Sequence, residues 1–335
     1  MRVAVFNGAG KPLTIEDVAD DPLGPENARI EVARCGICGS DITMTSGSAF
    51  DYPTGCRMGH ETAGTVIEIG KAVTSLKVGD NVAVLPSTCC GQCDNCRVGR
   101  PLFCTGGPSL FGGFGERLVI TEKAGFRLPD SVNLAEGALV EPIACGRRGF
   151  RMARMQKGDT VLVLGAGSMG LAAIYWARQL GAGRIVVATR TDARHAIALD
   201  MGADAAVSTA NAEPDVLRQA FPEPPDIVVE ATGKTGMLQT AIEHVRIGGT
   251  VMSLGMCVVG DPVIPALCGF QEVTMVFPVG YSTEDFNDTV RAFDAGKIRP
   301  EAMVTETVEL ARLPALIEEM RGPNDHLKVQ IVPGT

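Results

Sequence analysis

The hydrophobic rhythm of the chain changes near residue 140. Before that point, short apolar runs are broken by Gly and Pro. Ala28–Val32, Ala63–Ile69 and Asn81–Leu85 have strand length, and turn signals such as Val78-Gly79-Asp80 separate them. This spacing predicts an irregular β domain. After it, apolar runs of strand length alternate with helix-length stretches. Thr160–Leu164 is followed by Met169–Leu180, and Arg184–Ala188 by Ala193–Met201. Asp226–Val229 is followed by a helix near Leu238–Val245, and then by Gly249–Leu254. Strand–helix alternation predicts an α/β fold, a doubly wound parallel sheet with helices on both faces. From about Ser282 the pattern returns to a helix over Glu284–Ala295, a short strand, a final helix and the apolar strand Lys328–Val332. The expected organisation is therefore a first domain over 1–145 with a lobe at 87–106, a nucleotide-binding domain over 146–280, and a return to the first domain over 281–335. No internal repeat or low-complexity segment interrupts it.

Composition adjusts this picture in three places. The uncharged stretch Thr160–Ala177 approaches the length of a membrane span. Gly165, Gly167 and Gly170 lie in its middle, which reads better as strand, turn and buried helix. The net charge of −9 comes with no basic block, so neither nucleic acid nor an anionic membrane surface is expected as a partner. The opening residues MRVAVFNGAG lack the apolar run and cleavage site of a signal peptide. A cytoplasmic location is expected, where the eleven cysteines stay reduced and bind metal rather than pair.

Four cysteines carry the strongest local signal. Cys90, Cys93 and Cys96 are spaced so that tight turns point their thiolates at one ion, and Cys104 closes a tetrahedron. Four thiolates leave no open position, so this zinc would be structural and would stiffen a loop without a core of its own. Cys89 competes for the register, and an iron–sulfur cluster is the alternative filling. A second constellation is weaker. Cys38 lies in Gly36-Ile-Cys-Gly-Ser-Asp41, His60 and Glu61 in Gly59-His-Glu-Thr-Ala-Gly64, and Glu141 precedes Pro142. Singly, each has a plain reading: a structural histidine, a turn residue at Ser40, a helix start at Glu141-Pro142. His195, His244 and His326 have no ligand-like company and read as surface or packing residues.

Val161-Leu-Val-Leu-Gly165-Ala-Gly167-Ser168-Met169-Gly170 is a strand, a GxGxxG loop and a helix start. In that context it reads as a dinucleotide site. Gly165 permits the tight turn, Gly167 the approach of a pyrophosphate, and Gly170 close helix–strand packing. The helix start offers free N–H groups to phosphate. The next strand would end in Asp or Glu to accept from a ribose 2′-hydroxyl of NAD. Here the sequence is Ala188-Thr189-Arg190-Thr191, with Arg194 one turn on. A hydroxyl and guanidinium groups suit a 2′-phosphate, so NADP(H) is expected over NAD(H). Asp192 is displaced and reads as a helix cap. Thr232, and Leu254 with Gly255, follow later strands and fall at the carboxyl edge of the same sheet.

These motifs together resemble the zinc-containing medium-chain dehydrogenases, especially the sorbitol, threonine and short alcohol dehydrogenase branch. The likeness runs through Gly36–Asp41, Gly59–Gly64, the cysteine lobe, Gly112-Gly-Phe-Gly-Glu116, Glu141-Pro142, the glycine loop and Gly296-Lys-Ile298. It implies a GroES-like irregular β-barrel beside a Rossmann domain, and a homodimer or homotetramer. It implies that Cys38 and His60 hold a catalytic zinc, with Glu61 and Glu141 as ligand or close support. Cys145 stands one helical turn after Glu141 and could face the same way. The resemblance places Ser40 on the substrate oxygen as proton acceptor. It puts backbone near Leu254 and Val279 against the nicotinamide. Thr43 stands where some relatives carry a proton-relaying histidine. Thr43, Phe50 and Phe111 would line the substrate pocket. The implied reaction is hydride transfer between NADP(H) and an alcohol or ketone, with a secondary alcohol, polyol or cyclitol as substrate. Reduction of activated C=C or C=N bonds on the same scaffold is the alternative, and a non-catalytic nucleotide-binding protein is a further one.

Overall fold

The computed structural model describes residues 1–47, 52–106, 111–210 and 216–334. In chain order its strands are β1 (Arg2–Val5), β2 (Thr14–Asp17), β3 (Asn27–Gly36), β4 (Glu61–Ile69), β5 (Asn81–Val84), β6 (Arg117–Thr121) and β7 (Gly125–Arg127). There follow β8 (Thr160–Leu164), β9 (Arg184–Thr189), β10 (Ala205–Ser208), β11 (Ile227–Glu230), β12 (Thr250–Ser253) and β13 (Thr274–Val276). The last two are β14 (Val304–Glu309) and β15 (Lys328–Val332). Two compact units result. One is Met1–Glu141 with Ser282–Gly296 and Val304–Thr335, and the other is Pro142–Tyr281 with Lys297–Met303. The expected limits at 145/146 and 280/281 lie within a few residues of these. The expected return segment 281–335 is interrupted, because Lys297–Met303 packs with the second unit.

In the first unit β3 organises the sheet. Ala28, Ile30 and Val32 point to the core while Arg29 and Glu31 point away, the alternation of a half-buried strand. One edge of β3 pairs with β4 along most of its length. Its other edge is shared: Asn27–Glu31 pairs with β6, and Cys35–Gly36 with β15. Register shifts between Arg29 and Ile30, and between Val32 and Arg34, mark where the strand bends. The sheet order is β14-β15-β3-β4-β5-β7, with β6 on β3. The helix Leu313–Met320 supplies Leu313, Leu316 and Ile317 to the same apolar cluster as Ile30, Val32 and Phe114. That burial explains why the chain end belongs to the first unit.

The second unit is a six-stranded, all-parallel sheet in the order β10-β9-β8-β11-β12-β13. The chain starts in the middle, winds one way to β10, then crosses to β11 and winds the other way. The carboxyl ends of β8 and β11 therefore meet at a topological switch point, where such sheets bind ligands. The stretch Thr160–Ala177 divides into β8 and the buried helix Ser168–Gln179, as its glycines suggested. Among the described residues no helix is long and apolar enough to cross a membrane.

Candidate functional site

Cys38 ends the turn after β3 in extended conformation, and the helix Gly39–Ser46 begins beyond it. Asp41, in the first turn, accepts the Cys38 backbone N–H on Oδ2 at 2.9 Å. This clamp fixes where the Cys38 side chain starts. His60 and Glu61 stand at the start of β4, and Glu61 pairs in register with Gly36 of β3. One ligand atom each from Cys38, His60 and Glu61 lies within 4.8 Å of the others. A β-carbon at Gly36 would fall 2.0 Å from Glu61 Oε2, so the bare backbone there makes room for the carboxylate.

The three side chains are held from behind. His60 Nδ1 faces Asp41 Oδ1 at 3.5 Å, outside hydrogen-bond alignment, so the contact is one of charge. Burial alone would lower the His60 pKa. The Asp41 carboxylate and Cys38 more than reverse this and hold it well above 6.5. Glu61 is fully buried, and its Oε1 accepts from Lys328 Nζ at 2.5 Å. The same ammonium donates to the Ile37 carbonyl at 3.0 Å. Burial works against the lysine's charge, but Glu61 first, then Cys38 and Glu141, raise its pKa above 10.5. Glu61 Oε2 is left buried without a hydrogen-bond partner. A sulfur, an imidazole nitrogen and a carboxylate oxygen within one small sphere suit a divalent zinc ion. Glu141 is buried at the end of the first unit but lies outside the 4.8 Å group, and so does Cys145.

Ser40 is half-buried in the first turn of the helix that Cys38 caps. Thr43 Oγ1 donates to the Gly39 carbonyl at 3.1 Å, within its own helix. Phe111 sets its ring edge against His60, with centroids 5.8 Å apart, and against Tyr52 at 5.7 Å. Phe50 lies outside the described residues.

The sulfur atoms of Cys90, Cys93, Cys96 and Cys104 lie within 4.8 Å of one another, and Cys89 is not among them. Cys89 is buried at positive φ, with its N–H turned to Ser87 Oγ. Backbone N–H groups point at the cluster: Cys93 N lies 3.4 Å from Cys90 Sγ, and Cys90 N lies 3.3 Å from Cys104 Sγ. The Thr105 N–H is the main cause that draws the Cys93 thiol down to about 6. The Cys90 and Gly106 N–H groups lower Cys104 in the same way. Burial, with the neighbouring thiols, pushes Cys96 the other way, up to about 12. Two lowered thiols beside a raised one are sulfurs crowded together, and four sulfurs at this spacing suit a closed zinc site.

In the second unit the glycine loop follows β8. Gly165 has φ of 101°, and a β-carbon at Gly170 would lie 1.9 Å from the Gly165 carbonyl oxygen. Both positions therefore need glycine. Gly167 is extended and precedes the helix, with Ser168 and Met169 in its first turn. Thr189 ends β9 with no carboxylate in its place. Arg190 is exposed and has no ion pair among the described residues. Arg194 brings Nη1 to 4.0 Å from where a Gly167 β-carbon would sit. The loop thus fits a pyrophosphate with cationic groups beside it. Thr232 Oγ1 donates to Glu230 Oε1 at 2.6 Å, and the Thr232 and Gly233 N–H groups join it. The N–H groups of Leu254 and Gly255 bond the Glu230 carbonyl at 2.7 and 2.9 Å. Glu230 therefore ties the loops after β11 and β12 together. Val279 follows β13 and is 54% exposed.

Two supports escaped the sequence reading. Lys328 reads from sequence as the first residue of an ordinary strand, and Glu230 is not singled out. Neither has a local signal, because the partner that gives each its role is fixed only by the fold.

Residues 24–130 match the model of the alcohol dehydrogenase GroES-like domain, and 168–295 that of the zinc-binding dehydrogenases. A probable D-xylulose reductase A of Aspergillus clavatus is 30% identical, over 89% of this chain and 87% of that protein. A sorbitol dehydrogenase of Arabidopsis thaliana is 33% identical, over 76% of this chain and 74% of that protein. Among solved structures, a chain of Sinorhizobium meliloti 1021 assigned to the zinc-binding dehydrogenases and bound to NADP superposes with a TM-score of 0.90, at 26% identity and 99% coverage of both. The fold agrees with these likenesses, and the chain belongs to the zinc-containing medium-chain alcohol dehydrogenase family, as an oxidoreductase acting on CH–OH donors.

Proposed function

We propose that the protein transfers a hydride between NADP(H) and a secondary alcohol, polyol or cyclitol and the corresponding ketone. The observation that carries the cofactor reading is the end of β9. Thr189 stands where NAD enzymes of this topology place a carboxylate, and Arg190 beside it lacks a carboxylate partner among the described residues. The NADP bound to the Sinorhizobium chain is in keeping with this. The xylulose reductase and sorbitol dehydrogenase likenesses favour a polyhydroxy substrate.

In this reading Cys38, His60 and a carboxylate, Glu61 or Glu141, hold a catalytic zinc. Cys90, Cys93, Cys96 and Cys104 hold a structural one. A zinc bound at the first site supplies Lewis acidity to the substrate oxygen. Ser40 accepts the substrate hydroxyl proton. Thr43 directs its own proton to Gly39, so the relay from Ser40 ends in water and ribose hydroxyls. Lys328 holds one oxygen of Glu61, and the other is buried without a hydrogen-bond partner. Gly165 to Gly170 receive the pyrophosphate, with the loops of Thr232, Leu254, Gly255 and Val279 towards the nicotinamide. The protein works as a homodimer or homotetramer, for which the exposed apolar residues near β13 offer a surface.

Paired steady-state assays over a polyol and secondary-alcohol panel test the reading. NADP is expected to give the higher kcat/KM, and metal analysis of the same sample two zinc ions per chain. Equal or better turnover with NAD would overturn the cofactor reading, and a single zinc the two-site one.

A further inference from the structure

The helix Gly39–Ser46 carries Ser40 and Thr43 and begins at Cys38. Its eight residues are Gly, Ser, Asp, Ile, Thr, Met, Thr and Ser, of which only Met is a strong helix former. A helix so short and so composed keeps its place only through tertiary contacts. Its last turn has no basic residue of its own. Arg321, which follows the helix Leu313–Met320, supplies a cation at that end. Its Nη1 donates to the Ile42 carbonyl at 2.8 Å, and its Nη2 to the Thr45 hydroxyl at 2.8 Å. Nε and Nη2 also reach the two oxygens of Glu318, at 2.9 and 3.1 Å, so a carboxylate one turn back fixes the guanidinium plane. Thr45 is buried, and its one proton goes to the Asp41 carbonyl at 2.8 Å, nearer than the Ile42 carbonyl at 3.2 Å. Asp41 in turn accepts the Cys38 N–H and faces His60. One run of contacts therefore leads from Glu318 through Arg321, Thr45 and Asp41 to two of the candidate zinc ligands.

We infer that Arg321, oriented by Glu318, is a positioning residue for the catalytic site: it clamps the carboxyl end of the helix Gly39–Ser46 and thereby fixes Cys38 and Ser40. The inference rests on the reading above that Cys38 holds a zinc and Ser40 meets the substrate. The hydrogen bonds of Arg321 end on Ile42, Thr45 and Glu318, so it acts on the site through the helix. The helix is also tied by backbone, because the Gly10 N–H bonds the Thr45 carbonyl at 3.0 Å. A side-chain change at Arg321 leaves that tie in place and loosens the helix without melting it.

Hydrogen exchange of the full chain, read by mass spectrometry, tests it, beside the rate at which a chromogenic chelator draws out each zinc. In Arg321→Met the amides of 39–47 should exchange about fivefold to tenfold faster, the size of one net hydrogen bond. The zinc that Cys38→Ser abolishes should leave faster by a similar factor, and the four-cysteine zinc at the wild-type rate. With a polyol, kcat should fall by the same factor, while the NADPH dissociation constant stays within about twofold. Arg321→Lys keeps the cation and should recover part of the loss. Thr45→Val should act in the same direction, and the double variant should lose less than the two single losses combined, as coupled partners require. Wild-type exchange of 39–47 in Arg321→Met, or equal acceleration of both zincs, would overturn the inference and leave the two-zinc reading intact. Should Arg321→Met not fold, Arg321→Lys and Thr45→Val decide by the same ratio of zinc release rates. If Cys38→Ser retained both zincs, the reading of Cys38 as a ligand would fall, and the inference with it.

Discussion

Lys328 has 1% of its side chain exposed and Glu61 none, so the pair between them is made wholly in the interior. Two desolvated charges repay their burial only while both are present. Lys328→Met leaves the Glu61 carboxylate buried with one oxygen that already lacked a partner. It should cost about 3–5 kcal/mol, read as a lower denaturant midpoint at unchanged slope. Adding Glu61→Gln removes the stranded charge and should restore part of the loss. A single variant that unfolds at the wild-type midpoint would refute the account. The sign with pH follows from the raised lysine pKa. The stabilisation is complete below 10.5 and is lost as pH rises through the folded value, so the cost should be constant across neutral pH. The residue scale is also where the sequence was least legible. Cys38, His60 and Glu61 were weak signals singly, and only the resemblance of their short motifs to the family picked them out. Lys328 lies 267 positions from Glu61, and a lysine opening an apolar strand carries no mark of that partner.

At the scale of elements, Asp226 shows how the parallel sheet is pinned. It stands just before β11 and accepts from Thr160 N at 2.8 Å and Thr160 Oγ1 at 2.9 Å, at the start of β8. Arg246 Nε donates to its other oxygen at 2.7 Å, from the turn before β12. One carboxylate therefore aligns three neighbouring strands whose opposite ends carry the glycine loop and the Glu230 turn. Partial burial raises its pKa, but Thr160 and Arg246 outweigh this and hold it below 3.8. A depressed folded pKa means the stabilisation is present above the unfolded value and lost as pH falls through the folded one. Asp226→Asn should cost about 1–2 kcal/mol near neutral pH, discounted for its partial exposure. The gap to wild type should close in acid melts; a gap that persists there would contradict this origin. Strands β8, β9, β11 and β12 were legible as apolar runs because both faces of such a sheet are covered. β10 and β13 were not, being short edge strands with no fully buried residue. The helix expected over Ala193–Met201 in fact begins with the 3-10 turn of Asp192–Arg194. Periodicity cannot distinguish that turn from an α-helix.

At the scale of the molecule, the second unit ends its sheet at β13 with one edge open. An open edge invites pairing with another chain unless something blunts it. The segments on either side of it expose large apolar side chains, with Glu272 among them: Phe270 is 81% exposed, Phe277 56% and Ile264 56%. Single exposed apolar residues need no explanation, but several close in sequence to one edge strand offer a surface for the proposed assembly. With a net charge of −9, non-specific association of copies is opposed. In the homodimer or homotetramer proposed above, a two-fold axis would set this patch of one copy against the same patch of another and so satisfy both the edge and the apolar side chains. Phe277→Glu places two like charges across such an axis and removes an aromatic anchor. Sedimentation equilibrium should show the assembly dissociating at least tenfold more readily, which is about 1.4 kcal/mol. The far-ultraviolet spectrum should not change, because the side chain is exposed within its own chain. Wild-type protein that sediments as a monomer would refute the surface outright. A variant with the wild-type mass and dissociation constant would move the interface elsewhere on the molecule.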